Sequence, residues 1–399
     1  MPMPSRPNRR KLLGQLASLG TLGPLAAATA WAQKDKPLVL GQSAAVSGPA
    51  AQLGLQVHAG ARLHFDALNA QGGIHGRMVE LKLLDDGYEP ARCKANTEAF
   101  IRDEVFALFG YVGTPTALAA LPLVNQERMP FFAPVTGAQA LRDPLSRQVF
   151  HVRASYFDET ALIVRQLTQL GLKKIAVFRQ NDSYGQAGFD GVQRALAPKG
   201  LEVVAVGLVE RNSVDVAAAV AAIVPKQPDA VIQVGAYQGC AAFVRAARKA
   251  GYGGSFYNLS FVGTQALADA LGKDARGVMV SQVMPFPFNT THGLARDYLD
   301  AVAAARLNAT PDGKNAGAKA QAGMTPNYSG MEGYVAARVL SEGLKRAGRN
   351  PSRDALLSAL EDLPRLDIGG FAVGFGPRQH VGSQFVELTL LTEDGKVRR

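Results

Sequence analysis

Residues able to do chemistry are few in this chain, and their spacing argues against catalysis. The six histidines, His58, His64, His75, His151, His292 and His380, are dispersed along 399 residues. His58 and His64 share one predicted helix but stand six residues apart. That sets them on different faces instead of on the i, i+4 edge that chelates a metal. Asp85 and Asp86 close a predicted strand as neighbours, so their side chains diverge and turn hydrogen bonding is their expected role. The chain has no phosphate-loop spacing, no GxGxxG turn and no GxSxG nucleophile elbow. It reads as a non-enzyme with neither cofactor nor metal site.

What remains is a pair of polar turns, each opening out of an apolar run: Gly113-Thr114-Pro115-Thr116 and Pro134-Val135-Thr136-Gly137. Neither holds a histidine, a cysteine, a lysine or an acid. Proline suits the first position of a helix, which makes Thr114 the expected N-cap and leaves unpaired N–H groups beside it. Thr136-Gly137 is expected to end its strand in the same manner. Helix starts attract anions through their donors and their dipole. Two such turns on adjacent parallel strands would grip a carboxylate with hydroxyls and main-chain donors, without a cationic side chain. The competing expectation is that both threonines cap only their own helices.

The elements that position these turns alternate regularly between strand and helix. Pro37–Gln42 reads as a strand, Gln52–Asn69 as a helix with Leu55, Ala59, Leu63 and Ala67 on one face, and Met78–Asp85 as the second strand. A helix over 90–102 and a strand over 105–111 follow, and then a short helix and the strand Phe131-Phe132-Ala133. A second series of the same kind runs from Glu159 to Leu259. Residues 308–326 form an aperiodic polar insertion, Tyr328–Ala347 a strong helix, and strands near 372–375 and 385–391 end the chain. This pattern predicts an α/β fold with parallel sheets in two lobes.

Composition narrows the class further. At 47% apolar residues the chain can fill two cores. Arg9-Arg10-Lys11 precede an uncharged run that ends in Ala30-Trp31-Ala32, the pattern of an export signal cleaved near Ala32-Gln33, with paired arginines as in twin-arginine signals. Removing residues 1–32 takes away Arg6, Arg9, Arg10 and Lys11 and lowers the formal charge from +10 to +6. The remaining bases are scattered and make no stripe interleaved with aromatics, so nucleic acid is not an expected partner. Cys93 and Cys240 fall in helical patterns assigned to different lobes, which predicts two free buried thiols.

In order and spacing, several short stretches resemble the periplasmic leucine/isoleucine/valine-binding proteins of ABC transporters. They are Ser47-Gly48-Pro49…Gly54, Gly72-Gly73-Ile74-His75-Gly76-Arg77, Asp85-Asp86…Pro90, Asp182-Ser183-Tyr184-Gly185, Pro228-Asp229-Ala230-Val231-Ile232 and Asn327-Tyr328…Glu332-Gly333-Tyr334. The resemblance spans nearly all the chain after the signal. It implies two Rossmann-like lobes joined by three crossovers, residues 37–155 plus 285–365 and 156–284 plus 366–399, closing on a small ligand. It further implies a monomer in the periplasm that delivers its solute to an inner-membrane permease. A periplasmic sensing receptor of a signalling system is the alternative.

Carried over from the family, Thr114 is the hydroxyl that holds a ligand carboxylate, with Val135, Thr136 and Gly137 at the second turn. Tyr184 and Tyr237 match tyrosines that face the cleft from the other lobe. Two departures stand out. Ser260 takes the place of the acid that pairs with an amino-acid ammonium, and Tyr88 and Gly113 replace the two half-cystines. The expected solute is a small carboxylate: a branched-chain or other amino acid or, because a serine cannot neutralise a buried ammonium, an acid that lacks the amino group, such as an aromatic or 2-oxo acid.

Overall fold

Apolar runs without polar alternation form strands buried on both faces. The clearest is Ala230–Val234, buried at every position. The computed structural model describes residues 1, 36–307 and 325–399. The expected export signal lies outside the described residues, as does the insertion up to residue 324.

The first lobe is built on β1 (Leu38–Ala44), α1 (Ala51–Ala70), β2 (Val79–Asp85), α2 (Pro90–Arg102), β3 (Ala107–Phe109), α3 (Thr114–Gln126), β4 (Phe131–Phe132) and β5 (Val149–Phe150). Its sheet is parallel throughout, in the order β2-β1-β3-β4-β5. β3 and β4 are neighbours in register, Leu108 beside Phe131 and Phe109 beside Phe132. That places the two polar turns at adjacent strand ends.

The second lobe continues with α4 (Tyr156–Gln169), β6 (Ile175–Gln180), α5 (Ser183–Leu196), β7 (Val203–Val209), α6 (Ala217–Ile223), β8 (Ala230–Val234), α7 (Tyr237–Lys249), β9 (Ser255–Asn258), α8 (Thr264–Leu271) and β10 (Val278–Gln282). After α9 (Gly293–Leu307), α10 (Tyr328–Arg346) and α11 (Arg353–Glu361) come the ribbon β11 (Leu366–Ile368) and β12 (Phe371–Val373), then β13 (Glu387–Leu391) and β14 (Val397–Arg398). The second sheet runs β14-β13-β10-β9-β8-β6-β7 and turns antiparallel at β10–β13 and β13–β14. β14 escapes the sequence pattern because it is two residues long.

Side-chain caps fix three helix starts near the cleft. Ser155 and Asp158 form a reciprocal capping box on α4, Asp182 accepts from the Tyr184 and Gly185 N–H groups on α5, and Asn327 accepts from Gly330 N–H on α10. α4 and α5 therefore begin earlier than periodicity predicts, and Tyr156 and Tyr184 belong to their first turns. Cys93 and Cys240 are both buried and free. Asp85 and Asp86 serve their turn: Asp85 accepts from the N–H groups of Val46 and Gly87, and Asp86 from Ser43 Oγ and Tyr88 N–H.

Candidate functional site

The β3–β4 pairing extends past the strands through a parallel bridge between Val112 and Val135. Gly113 N–H donates to the Val135 carbonyl at 3.3 Å, and Val135 N–H to that of Tyr111 at 2.8 Å. This brings Thr114 Oγ1 to 2.7 Å from Thr136 Oγ1, with both side chains fully buried. Thr136 Oγ1 also accepts from Ala138 N–H at 3.1 Å. Among the described residues, the Gly137 N–H has no acceptor.

Two local expectations are corrected here. Thr114 is not the N-cap of α3 but its first residue; Gly113, at φ 110°, holds the cap position. Thr114 makes no capping bond and turns its hydroxyl to Thr136 instead. Glycine is required at 113 for the left-handed backbone and for space, because a Cβ would lie 2.3 Å from Tyr88 Cε2. Nor does Thr136-Gly137 open a helix. Extended chain follows it, and then the short 3-10 turn Gln139–Leu141.

Tyr156, the first residue of α4, closes over this pair. Its N–H donates to the Gly137 carbonyl at 2.8 Å, and its ring sits so close that a Cβ on Gly137 would come within 2.5 Å of Cδ1. Burial raises the Tyr156 pKa, opposed by the charge of Arg153 and by the hydroxyls of Thr136 and Thr114. The phenol faces those hydroxyls, yet its oxygen makes no well-formed hydrogen bond in the structure. Tyr184 packs beside it, ring centroids 5.4 Å apart, and its buried oxygen likewise lacks a partner. The aromatic run continues from Tyr184 to Phe261 at 4.7 Å and from Phe261 to Tyr88 at 5.9 Å. Tyr88, from the first lobe, thus faces Phe261, from the second.

Ser260 lies in a different environment. Its N–H donates to Glu159 Oε2 at 2.8 Å and its Oγ to Glu159 Oε1 at 3.0 Å, while Arg153 Nη2 donates to that Oγ. Glu159 also accepts from Ser281 Oγ at 2.6 Å and from Arg153 Nη2 at 3.2 Å, so both its oxygens are engaged. Arg153 reaches Glu332 of α10 with Nη1 at 3.3 Å, which ties the two lobes through one buried guanidinium. Burial alone would lower the Arg153 pKa; Glu332 and Glu159 outweigh it and hold it above its usual value. Burial raises the Glu332 pKa against the pull of Arg153.

Thr114, Val135, Thr136 and Gly137 therefore meet at one point. Tyr184 joins them through Tyr156, and Ser260 through Arg153, whose guanidinium carbon stands 5.9 Å from the Tyr156 ring centre. Tyr237 stands apart, lining a concavity of about 720 Å³ with Gln52 and Val214. Sequence reasoning missed Tyr88, Arg153, Tyr156, Glu159, Phe261 and Glu332. The Ser155-x-x-Asp158 spacing of a capping box is a local signal that places Tyr156 at the start of a helix.

Further contacts cross between the lobes near the site. Arg211 Nη2 pairs with Glu89 at 2.9 Å, and Asn212 Nδ2 donates to Gly87 O and Glu89 Oε1 at 3.0 and 2.8 Å. Gln180 Nε2 donates to the Tyr88 hydroxyl at 3.4 Å. Among the described residues no cluster of histidine, cysteine and acidic side chains could hold a metal ion, and no helix is long and apolar enough to cross a membrane.

Two α/β lobes with parallel-sheet cores, meeting over a buried cluster of hydroxyls and aromatic rings, define a two-lobed solute-binding protein. The chain belongs to the periplasmic binding protein family, whose model matches residues 37–396, and the members it resembles bind solutes instead of transforming them. It is 24% identical over 358 residues to the Leu/Ile/Val-binding protein homolog 3 of Brucella melitensis, covering 88% of this chain and 89% of that one. A solved structure of a possible leucine/isoleucine/valine-binding protein from Rhodopirellula baltica SH 1 is 34% identical with a TM-score of 0.82, over 92% of this chain and 96% of the other. A substrate-binding periplasmic protein from Ralstonia solanacearum is 31% identical at the same TM-score, over 90% and 99%.

Proposed function

We propose that this protein is the substrate-binding component of an ABC transporter, exported to the periplasm after cleavage near Ala32-Gln33 and acting as a monomer. It captures a small carboxylate-bearing solute that lacks an α-ammonium group. In this reading, residues 37–155 plus 285–365 and 156–284 plus 366–399 move as lobes about a three-crossover hinge. Solute that touches both lobes favours the closed arrangement by its differential affinity and is then handed to a permease.

The observation that carries the reading is the contact of Thr114 with Thr136, with the Gly137 N–H and the Tyr156 and Tyr184 phenols buried nearby without partners. Buried donors are almost always satisfied, and a carboxylate satisfies several at once. At the other end, Glu159 is spent on Arg153, Ser260 and Ser281. A ligand ammonium placed there would meet a guanidinium that already holds the acid.

A thermal-shift screen followed by calorimetry tests this directly, with 4-methyl-2-oxopentanoate and phenylglyoxylate against leucine. A ligand at about a hundredfold its dissociation constant stabilises the fold by about 2.7 kcal/mol. Binding of an oxo acid with no response to leucine is expected. Tight leucine binding with none to the acids overturns the proposal.

A further inference from the structure

Arg142 lies directly behind the second turn and is buried. Its Nη1 donates to the Ala138 carbonyl at 2.9 Å. Its Nη2 reaches the carbonyls of Thr136, Arg153 and Ala154 at 3.1, 3.3 and 3.4 Å. Its Nε has no partner, and among the described residues it makes no ion pair. Three acids act on it electrostatically, and each makes its direct contacts elsewhere: Asp158 in the capping box with Ser155, Glu159 with Arg153, Ser260 and Ser281, and Glu332 with Arg153. Burial, and next the charge of Arg153, push its pKa down to about 9, still above neutrality, so the group is charged under ordinary conditions.

A buried cation without a direct ion pair is costly, and a hydrophobic side chain of similar volume would fill the same space at less cost. The position of Arg142 accounts for it. The Thr136 carbonyl and the Gly137 N–H belong to one planar peptide, and they point in opposite directions. By holding that carbonyl, the guanidinium aims the Gly137 N–H away from itself and polarises it as a donor. The Arg153 and Ala154 carbonyls tie the same group to the crossover that leads into Tyr156.

We infer that Arg142 is the specificity-determining residue that makes this site select anions, acting as a positioning residue through the Thr136–Gly137 peptide without touching the solute. The inference rests on the carboxylate reading of the Thr114–Thr136 pair. A negative solute is favoured by the Arg142 charge lying directly behind that peptide, whereas a neutral isostere gains the hydrogen bonds but not the field.

Acetate, the smallest carboxylate, and acetamide, its neutral counterpart, test this without knowledge of the full solute. Their dissociation constants are measured by NMR titration at constant ionic strength on the wild type and on Thr114→Val, Arg142→Gln and Arg142→Lys. The wild type is expected to prefer acetate, and Thr114→Val to lose affinity for it. Arg142→Gln should weaken acetate by about tenfold or more, the order expected for one full charge lost near the site at an effective dielectric of about 20, and leave acetamide within about twofold. Arg142→Lys keeps the charge and should keep the preference, even if its melting temperature falls. A wild type that does not prefer acetate overturns the carboxylate reading and this inference together. Expected behaviour of the wild type and Thr114→Val with an unchanged Arg142→Gln overturns the inference alone. Should Arg142→Gln fail to fold, loss of the preference in folded Arg142→Lys overturns it instead.

Discussion

The two ends of the inter-lobe site are built on opposite principles. Around Thr114 and Thr136, hydroxyls, a main-chain N–H and two phenols crowd together, and the N–H and both phenols are left without partners. Around Ser260, one guanidinium, Arg153, hydrogen-bonds both Glu159 and Glu332, and Ser260 and Ser281 donate to Glu159 as well. The first end is incomplete as it stands and suits a ligand. The second is held by ion pairs and hydrogen bonds between its own side chains and suits a joint between lobes. The resemblance implies an acid for an ammonium at the latter position; here a serine folds into an existing ion network, and the function proposed above puts recognition at the other end.

The comparison breaks most visibly at the joint. Arg153→Met leaves Glu159 and Glu332 buried without the guanidinium that hydrogen-bonds both and should cost about 3–5 kcal/mol of stability by urea denaturation; a loss under 1 kcal/mol would mean that the joint is not what holds the lobes.

Acid sharpens the picture from a different direction. Burial, helped by Arg62, lowers the His58 pKa to about 4, and burial, with Arg338 and Lys345, lowers His64 to about 4. Unfolded histidine takes up its proton near 6.5. The stability linked to these two is therefore fully present above pH 6.5 and is lost as pH falls toward 4, up to about 3 kcal/mol for each. Both sit on α1, within the first lobe. His58→Gln should flatten the pH dependence of urea midpoints between 6.5 and 4, and an unchanged profile removes His58 as its source.

At the incomplete end the effects are smaller and fall on binding. Thr114→Ala should weaken the bound oxo acid by about 1–3 kcal/mol in calorimetry; affinity held within twofold takes Thr114 out of the site. Tyr156→Phe removes a buried oxygen that has no partner, so stability should hold or rise by about 1 kcal/mol while affinity falls. A clear loss of stability would show that the phenol is satisfied in the free protein.

The alternation of strands and helices and the adjacency of the two threonine turns were legible in the sequence, because both follow from local periodicity and the neighbouring of successive parallel strands. The aromatic and ionic parts were not. Arg153 meets Glu332 across 179 positions, and Ser260 meets Glu159 across 101. No local pattern encodes such a meeting. Thr114 was misread as a cap because Pro115 fits either of the first two helical positions; only the left-handed backbone at Gly113 decides between them.

Tyr88 covers Gly113, where the resemblance implies two half-cystines, and this bears on how the chain folds. A ring laid over a bare backbone position needs no oxidant. With both thiols buried and free, the described fold is held together without a disulfide.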